Sequence, residues 1–402
     1  MKRRSVCLIA RGVKEQNLRL QPWRYLVEVV RGLAARGHPV LLVSDGDPGT
    51  YSCRDIQISN LSSVSNLRWR LNKDLHRLIQ HHQPDVILQH IGLTSLLHQD
   101  FDPFGGSAGV GIFTSPIYRP RDISGLGLGR LIRRLPLTGA HLIGSCMPWR
   151  FVRLRLEQSP FQRLVVQTQT TRDQLFRMGV RTKPITVISP GVDQEWRVNG
   201  KGTKFQVPSL SHFHENENVF VYFGPADEVR GFYDLMKGFD RAFKQDNSLR
   251  LVALVRRDRD VFMGESFSRN KISECLPNSI FRIETNPLSS GDLVARVAEG
   301  DAVVLPFALI PSDAPLSVIE AVALGKPVVT TQVACLPELV AVGVHFLARP
   351  GDVDSLTQAL LQAAGYLRRE RQSNTSRVTS SIWRERSWQV VGEEWSNLIQ
   401  SL

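Results

Sequence analysis

The stretch 301–340, DAVVLPFALIPSDAPLSVIEAVALGKPVVTTQVACLPELV, admits few folds. Its apolar run 302–305 is too short for a helix and reads as a strand buried on both faces. Residues 306–315 are rich in turn formers and contain Ser312 and Asp313. Residues 317–324 place Val318, Ala321 and Val322 on one helical stripe, with Glu320 in the first turn. Gly325 stops that helix, and Lys326-Pro327 leads into a second apolar strand, 328–331. Strand–loop–helix–strand is the repeating unit of a parallel α/β sheet. The unpaired N–H groups at its helix start form a natural seat for an anion.

The same alternation runs through the chain. Strands are expected at 5–10, 40–44, 86–89, 110–114 and 164–167, then at 219–223, 251–255, 279–284, 302–305 and 328–331. Helices are expected at 23–35, 67–81, 170–178, 232–243, 288–299 and 351–366. A chain of 402 residues exceeds one ordinary hydrophobic core. Two α/β domains follow, 1–190 and 191–380, with 197–216 as a polar surface linker. The tail, 381–402, has Trp388, Val391 and Trp395 at helical spacing.

Charge divides the halves. Residues 1–190 hold 27 Lys+Arg against 12 Asp+Glu, so the whole net charge of +12 originates there. Such asymmetry calls for an anionic partner: a lipid surface, a phosphorylated acceptor or nucleic acid. Within 126–156, Arg130, Arg133, Arg134, Arg150, Arg153 and Arg155 interleave with aliphatic residues, Trp149 and Phe151. That pattern marks a segment lying in a lipid interface, and it equally fits an amphipathic helix pair packed on its own sheet. No nucleic-acid reading motif accompanies it, so nucleic acid is not expected. The five cysteines are scattered, odd in number and never in a CxxC pair, as in a reduced cytosolic protein without zinc. The apolar run 6–10 is too short for a signal-peptide core, and no stretch approaches the roughly 20 residues needed to span a bilayer. The expected location is the cytoplasm, peripheral on the inner face of the membrane.

Several segments resemble one family. PLSVIEAVALGKPVVTT followed by LPELV, YFGPADEVRGFYDLMKGFDRAF, RYLVEVVRGLAARGHPVLLVSDGD, QPDVILQHIG, FQRLVVQTQTTRDQLFRMGV followed by ITVISPGVD, and RERSWQVVGEEW are similar to the family-4 glycosyltransferases of the GT-B fold. The resemblance implies an α/β protein of two Rossmann-like domains facing each other across a cleft, with the tail crossing back onto the first. It implies a retaining, metal-independent transfer of a sugar from a nucleoside diphosphate donor to a hydroxyl acceptor, lipid-linked or not. No other cofactor is implied.

On that resemblance Glu320 holds the ribose hydroxyls, and the backbone of Pro315, Leu316, Ser317 and Val318 meets the diphosphate. Gly224 opens the loop whose Arg230 stands at the place of a phosphate-binding lysine; Pro225 replaces a second cation. Arg256 could also approach the phosphate. Ser312 stands where relatives have a second glutamate facing the donor sugar, and Asp313 beside it is the substitute. Catalytic roles fall to His90, Asp313 and Arg230. His90 at a strand end either donates to a sugar or acceptor hydroxyl or makes structural bonds. Arg19, in the loop that replaces the family's Gly-Gly turn, and Tyr118 and Arg119 are the acceptor-side candidates. The alternatives are a GT-B nucleotide-sugar epimerase, or an inactive glycosyltransferase-like binding protein.

Overall fold

The computed structural model describes residues 3–15, 18, 20–45, 49–53, 56–61, 73–98, 106–124, 135–197, 216–255, 280–285, 288–373 and 382–402. In the first domain the strands are β1 (Val6–Ile9), β2 (Val40–Asp45), β3 (Gly49–Cys53), β4 (Ile56–Leu61), β5 (Val86–Ile91), β6 (Ala108–Phe113), β7 (Phe161–Val166) and β8 (Ile185–Val187). They form one sheet in the order β3-β4-β2-β1-β5-β6-β7-β8. All neighbours are parallel except β3, which pairs antiparallel with β4 at the edge. β1 lies inside the sheet with every side chain buried, as its unbroken VCLI run requires. The sequence reading had no strand between 45 and 66, where GTYSC and IQISNL supply β3 and β4.

Helices cover both faces. They are α1 (Trp23–Ala34), α2 (Lys73–His82), α3 (Ser95–His98), α4 (Pro120–Ser124), α5 (Leu135–Cys146), α6 (Trp149–Glu157) and α7 (Gln169–Arg177). One core layer gathers α1 and the tail against β1, β2 and β5; the other gathers α6 and α7 against the opposite face. The segment expected to run 67–81 as a helix is described from Lys73.

A short helix, α8 (Gln194–Arg197), lies in the crossover between the two sheets. The second domain runs β9 (Asn218–Gly224), α9 (Phe232–Phe243), β10 (Leu249–Val255), β11 (Phe281–Glu284), α10 (Ser290–Glu299), β12 (Ala302–Leu305), α11 (Leu316–Ala323), β13 (Val328–Thr331), α12 (Leu336–Val340), β14 (His345–Ala348) and α13 (Val353–Ser373). Its sheet is parallel throughout, in the order β11-β10-β9-β12-β13-β14. The order reverses beside β9, and at such a switch point ligands collect beyond the carboxyl ends of the strands.

The tail returns to the first domain as α14 (Ile382–Glu385) and α15 (Trp388–Gln400). Helices α15 and α1 cross where two glycines meet: a Cβ on Gly32 would lie 2.6 Å from the Gly392 Cα. Trp395 Nε1 donates to Tyr25 Oη at 3.1 Å, and that hydroxyl donates to Ile188 O at 2.8 Å. Where outgoing and returning chain meet, Val192 N donates to Arg386 O at 2.9 Å. Among the described residues no helix is long and apolar enough to cross a membrane.

Candidate functional site

A cavity of about 1330 Å³ opens between the two domains. Three loops of the second domain form one wall. The first follows β9: Gly224 has φ +131, and a Cβ there would overlap the Arg230 guanidinium. Glycine therefore lets Arg230 fold back over the end of its own strand. Asp227 Oδ1 accepts from Arg230 N at 2.7 Å, and the guanidinium stands 5.1 Å above the Phe307 ring. Among the described residues no carboxylate pairs with it.

The second loop joins β12 to α11. Val229 O accepts from both Ala308 N (2.8 Å) and Leu309 N (3.0 Å), which stitches this loop to the one carrying Arg230. Ser312 and Ser317 line the cavity, and the hydroxyl of each is buried without a hydrogen-bond partner. Pro315 is the N-cap of α11 and supplies no side-chain cap. Val318 N turns back to Pro315 O at 3.2 Å, whereas the amides of Leu316 and Ser317 have no partner among the described residues. Two open amides at a helix start, with a cation in the same cavity lining, make a wall whose chemistry suits an anion. Glu320 lines the same cavity. The helix begins at Leu316, so Glu320 lies one turn in and not in the first turn.

Seven of the expected donor residues thus fall together: Gly224, Arg230, Ser312, Pro315, Leu316, Ser317 and Glu320 all line this one cavity. Val318 is fully buried behind them and packs in the core. Arg256 and Arg19 lie outside the described residues.

Three other expectations, for Asp313, Tyr118 and Arg119, are corrected. Asp313 does not face the cavity. Its carboxylate is turned into the first domain, where it accepts from Gln167 N (3.0 Å), Thr168 Oγ1 (2.8 Å) and Thr171 Oγ1 (2.5 Å). Burial pushes its pKa up to about 7, against the pull of those three donors. Tyr118 is buried too: its hydroxyl donates to Ile310 O at 3.0 Å and accepts from Ile310 N at 2.7 Å. It is a strap between the domains, with no hydroxyl left for an acceptor. Arg119 stacks on Trp149 at 5.8 Å, away from the cavity. Of the two roles expected of His90, the structure shows the structural bond: it does not line the cavity, and its Nε2 lies 2.6 Å from Thr114 Oγ1. Burial, with Arg11 nearby, pushes its pKa down to about 4, so the ring is neutral.

Asp313, Tyr118 and His90 meet at the domain boundary. Asp313 N donates to Thr114 O at 2.7 Å, so His90, Thr114 and Asp313 form a chain across the boundary. Glu338, at the start of α12, caps the same helix α7, accepting from Gln169 N (2.8 Å), Thr170 N (2.7 Å) and Thr170 Oγ1 (2.6 Å). Two carboxylates of the second domain therefore sit on one helix N-terminus of the first, where the helix dipole favours negative charge.

The first domain and the tail contribute cavity residues that the sequence reading passed over: Gln21, Trp23, Arg24, His141, Asp193 and Trp388. Trp388 stands one helical turn before Val391 in the tail's apolar stripe, yet its ring meets the cavity. His141 belongs to a helix with no polar signal around it.

Asp-x-Asp spacing occurs at 45–47, 100–102, 258–260 and 352–354. Asp47, Asp100, Asp102, Asp258 and Asp260 lie outside the described residues. Asp352 and Asp354 are paired with Arg349 and Arg241 at the start of α13 and do not line the cavity.

Two doubly wound domains facing each other across a cavity define the GT-B fold. Residues 217–365 match the profile of the family described as glycosyl transferases group 1. A sucrose-phosphate synthase from Thermosynechococcus elongatus shares the fold at TM-score 0.70 and 15% identity, over 99% of both chains. The Anabaena protein HepE, solved with UDP-glucose, superposes at TM-score 0.63 and 15% identity, over 99% of this chain and 100% of that one. A trehalose 6-phosphate synthase from Burkholderia multivorans does so at TM-score 0.62 and 12% identity, over 100% and 99%. No curated protein matches the chain in sequence.

Proposed function

We propose that the protein is a retaining glycosyltransferase that moves a sugar from a nucleoside diphosphate sugar to a hydroxyl acceptor. One observation carries the reading: Arg230, the open amides of Leu316 and Ser317, and Glu320 converge on a single cavity between the domains. A guanidinium and a helix start suit a diphosphate, and a carboxylate suits paired ribose hydroxyls. The buried hydroxyls of Ser312 and Ser317 would gain partners from bound donor.

In the reaction, the bond from the anomeric carbon to the diphosphate breaks and a bond to the acceptor oxygen forms on the same face. The acceptor proton passes to the departing phosphate oxygen. Arg230 and the α11 amides offset the charge that grows there. This route needs no carboxylate as base. The carboxylates of Asp193, Asp227 and Glu284 line the cavity but are engaged by Arg24, by Arg230 N and by Arg282 with Arg296. The guanidinium and the helix start would do this work without a metal ion.

We place the protein at an anionic membrane surface on the cytoplasmic side. Trp149 and Leu154 of α6 and Ile143 of α5 are exposed, beside exposed Arg150 and Arg153, which suits an interfacial segment. The unpaired buried thiols of Cys7 and Cys335 suit a reducing compartment. Incubation with radiolabelled UDP-, GDP- and ADP-sugars and a membrane extract tests the activity. Transfer with retained configuration supports it; an epimerised donor, or binding without turnover, replaces it with one of the two alternative functions.

A further inference from the structure

The cavity is larger than its donor wall requires. Small-molecule pockets usually hold roughly 300–1000 Å³, and this one, at about 1330 Å³, has room for a second ligand beside the first. The extra space is an arm walled by Gln21 and Trp23 at the start of α1, His141 on α5, and Asp193 and Trp388 where the chain crosses and returns.

Two polar groups in this arm lack partners. Both Oε1 and Nε2 of Gln21 are buried without a hydrogen bond. The imidazole of His141 stands edge-on to Tyr118 at 5.4 Å, and neither ring nitrogen is bonded among the described residues. Burial pushes its pKa down to about 4, so near neutrality it offers one N–H and one bare nitrogen. Leaving the buried Gln21 amide unpaired is costly, and a ligand rich in hydroxyls would pair with it and with the His141 ring.

The rest of the wall limits what that ligand is. Trp23 Nε1 is fixed to Arg11 O at 2.8 Å and Trp388 Nε1 to Asp193 Oδ1 at 2.9 Å, so the indoles are held as rigid platforms. Arg24 is taken up by Asp193 at 2.8 Å and Glu28 at 3.2 Å. Arg197 Nε donates to Arg384 O, and the lining that holds Arg197 also holds the carboxylate of Glu195. The arm therefore has no surplus cation for a phosphate, and its charged and amide groups are unsuited to an alkyl chain.

We propose that this arm is the acceptor subsite and that it takes an uncharged saccharide, whose hydroxyls are held by Gln21 and His141. The inference rests on the glycosyl-transfer reading and narrows it to one acceptor chemistry. The test uses the full-length protein with whichever of UDP-, GDP- or ADP-glucose binds, measuring donor Kd separately from transfer. Acceptors are methyl glucoside and disaccharides, hexose 6-phosphates, and a polyisoprenyl phosphate in detergent.

The expected result is transfer to uncharged saccharides. Gln21→Leu and His141→Phe then each raise the acceptor KM about tenfold or more, with donor Kd unchanged. Milder replacements, Gln21→Asn and His141→Gln, give smaller rises and serve if the first pair fails to fold. Transfer confined to phosphorylated or lipid acceptors, or an unchanged saccharide KM, overturns the inference and leaves glycosyl transfer standing. Absence of any donor binding overturns the glycosyl-transfer reading itself.

Discussion

The Asp313 carboxylate of the second domain accepts a 2.8 Å hydrogen bond from the Thr168 hydroxyl, the N-cap of α7 in the first. The peptide on its N-terminal side carries Ser312 into the cavity. One loop thus holds the domains together with one residue and faces the ligand space with the next.

The buried Asp313 makes domain stability pH-dependent. Its folded pKa of about 7 lies above the ordinary 3.8, so between those values the native state binds the extra proton. The stability it contributes is complete below about pH 4 and is lost as pH rises through about 7. Asp313→Asn, which imitates the protonated form, should remove a slope of up to about 1.4 kcal/mol per pH unit. Urea midpoints of wild type and variant from pH 5 to 8 check this. Parallel curves would show that Asp313 does not titrate there.

Gly224 should resist even the smallest side chain. A Cβ at φ +131 is strained, and it would also displace the Arg230 guanidinium. Gly224→Ala is expected to cost about 1–3 kcal/mol of stability and to weaken donor binding. Replacing Arg230 by Met should weaken donor binding without the loss of stability. Thermal unfolding and donor titration on both variants separate strain from lost charge; equal melting temperatures for wild type and Gly224→Ala would contradict the strain.

The helix crossing at Gly32 and Gly392 is a second tight contact. Gly392→Val forces α15 away from α1 and should destabilise by about 1–3 kcal/mol. It should also loosen Trp388, which α15 carries into the cavity. Limited proteolysis at the tail should quicken. An unchanged cleavage rate would show that the tail is not held there.

Much of this was legible in the sequence, for identifiable reasons. Buried parallel strands are continuous apolar runs, so β1, β9, β12 and β13 stood out, and the Pro-Leu-Ser start of α11 announced its helix. The edge pair β3–β4 was passed over because its side chains carry no long apolar run. The directions of the Asp313 and Tyr118 side chains are not legible for a different reason. Each depends on residues 145 to 192 positions away in the chain. Gln21, His141 and Trp388 were missed because the cavity joins three segments far apart in the chain.

The exposed face of α6 makes a further prediction. Leu154→Asp and Trp149→Ala should each reduce binding to vesicles containing phosphatidylglycerol, and Arg150→Glu should do so most at low salt. Vesicle sedimentation at two ionic strengths checks it. Binding unaffected by all three variants would remove this face from the account.

The most direct measurement of the donor site is calorimetric titration of UDP-, GDP- and ADP-glucose into wild type and Glu320→Ala. A nucleotide sugar should bind wild type and bind the variant about 10- to 100-fold more weakly, the loss of hydrogen bonds to a charged group. No binding by wild type, or equal binding by both proteins, would contradict it.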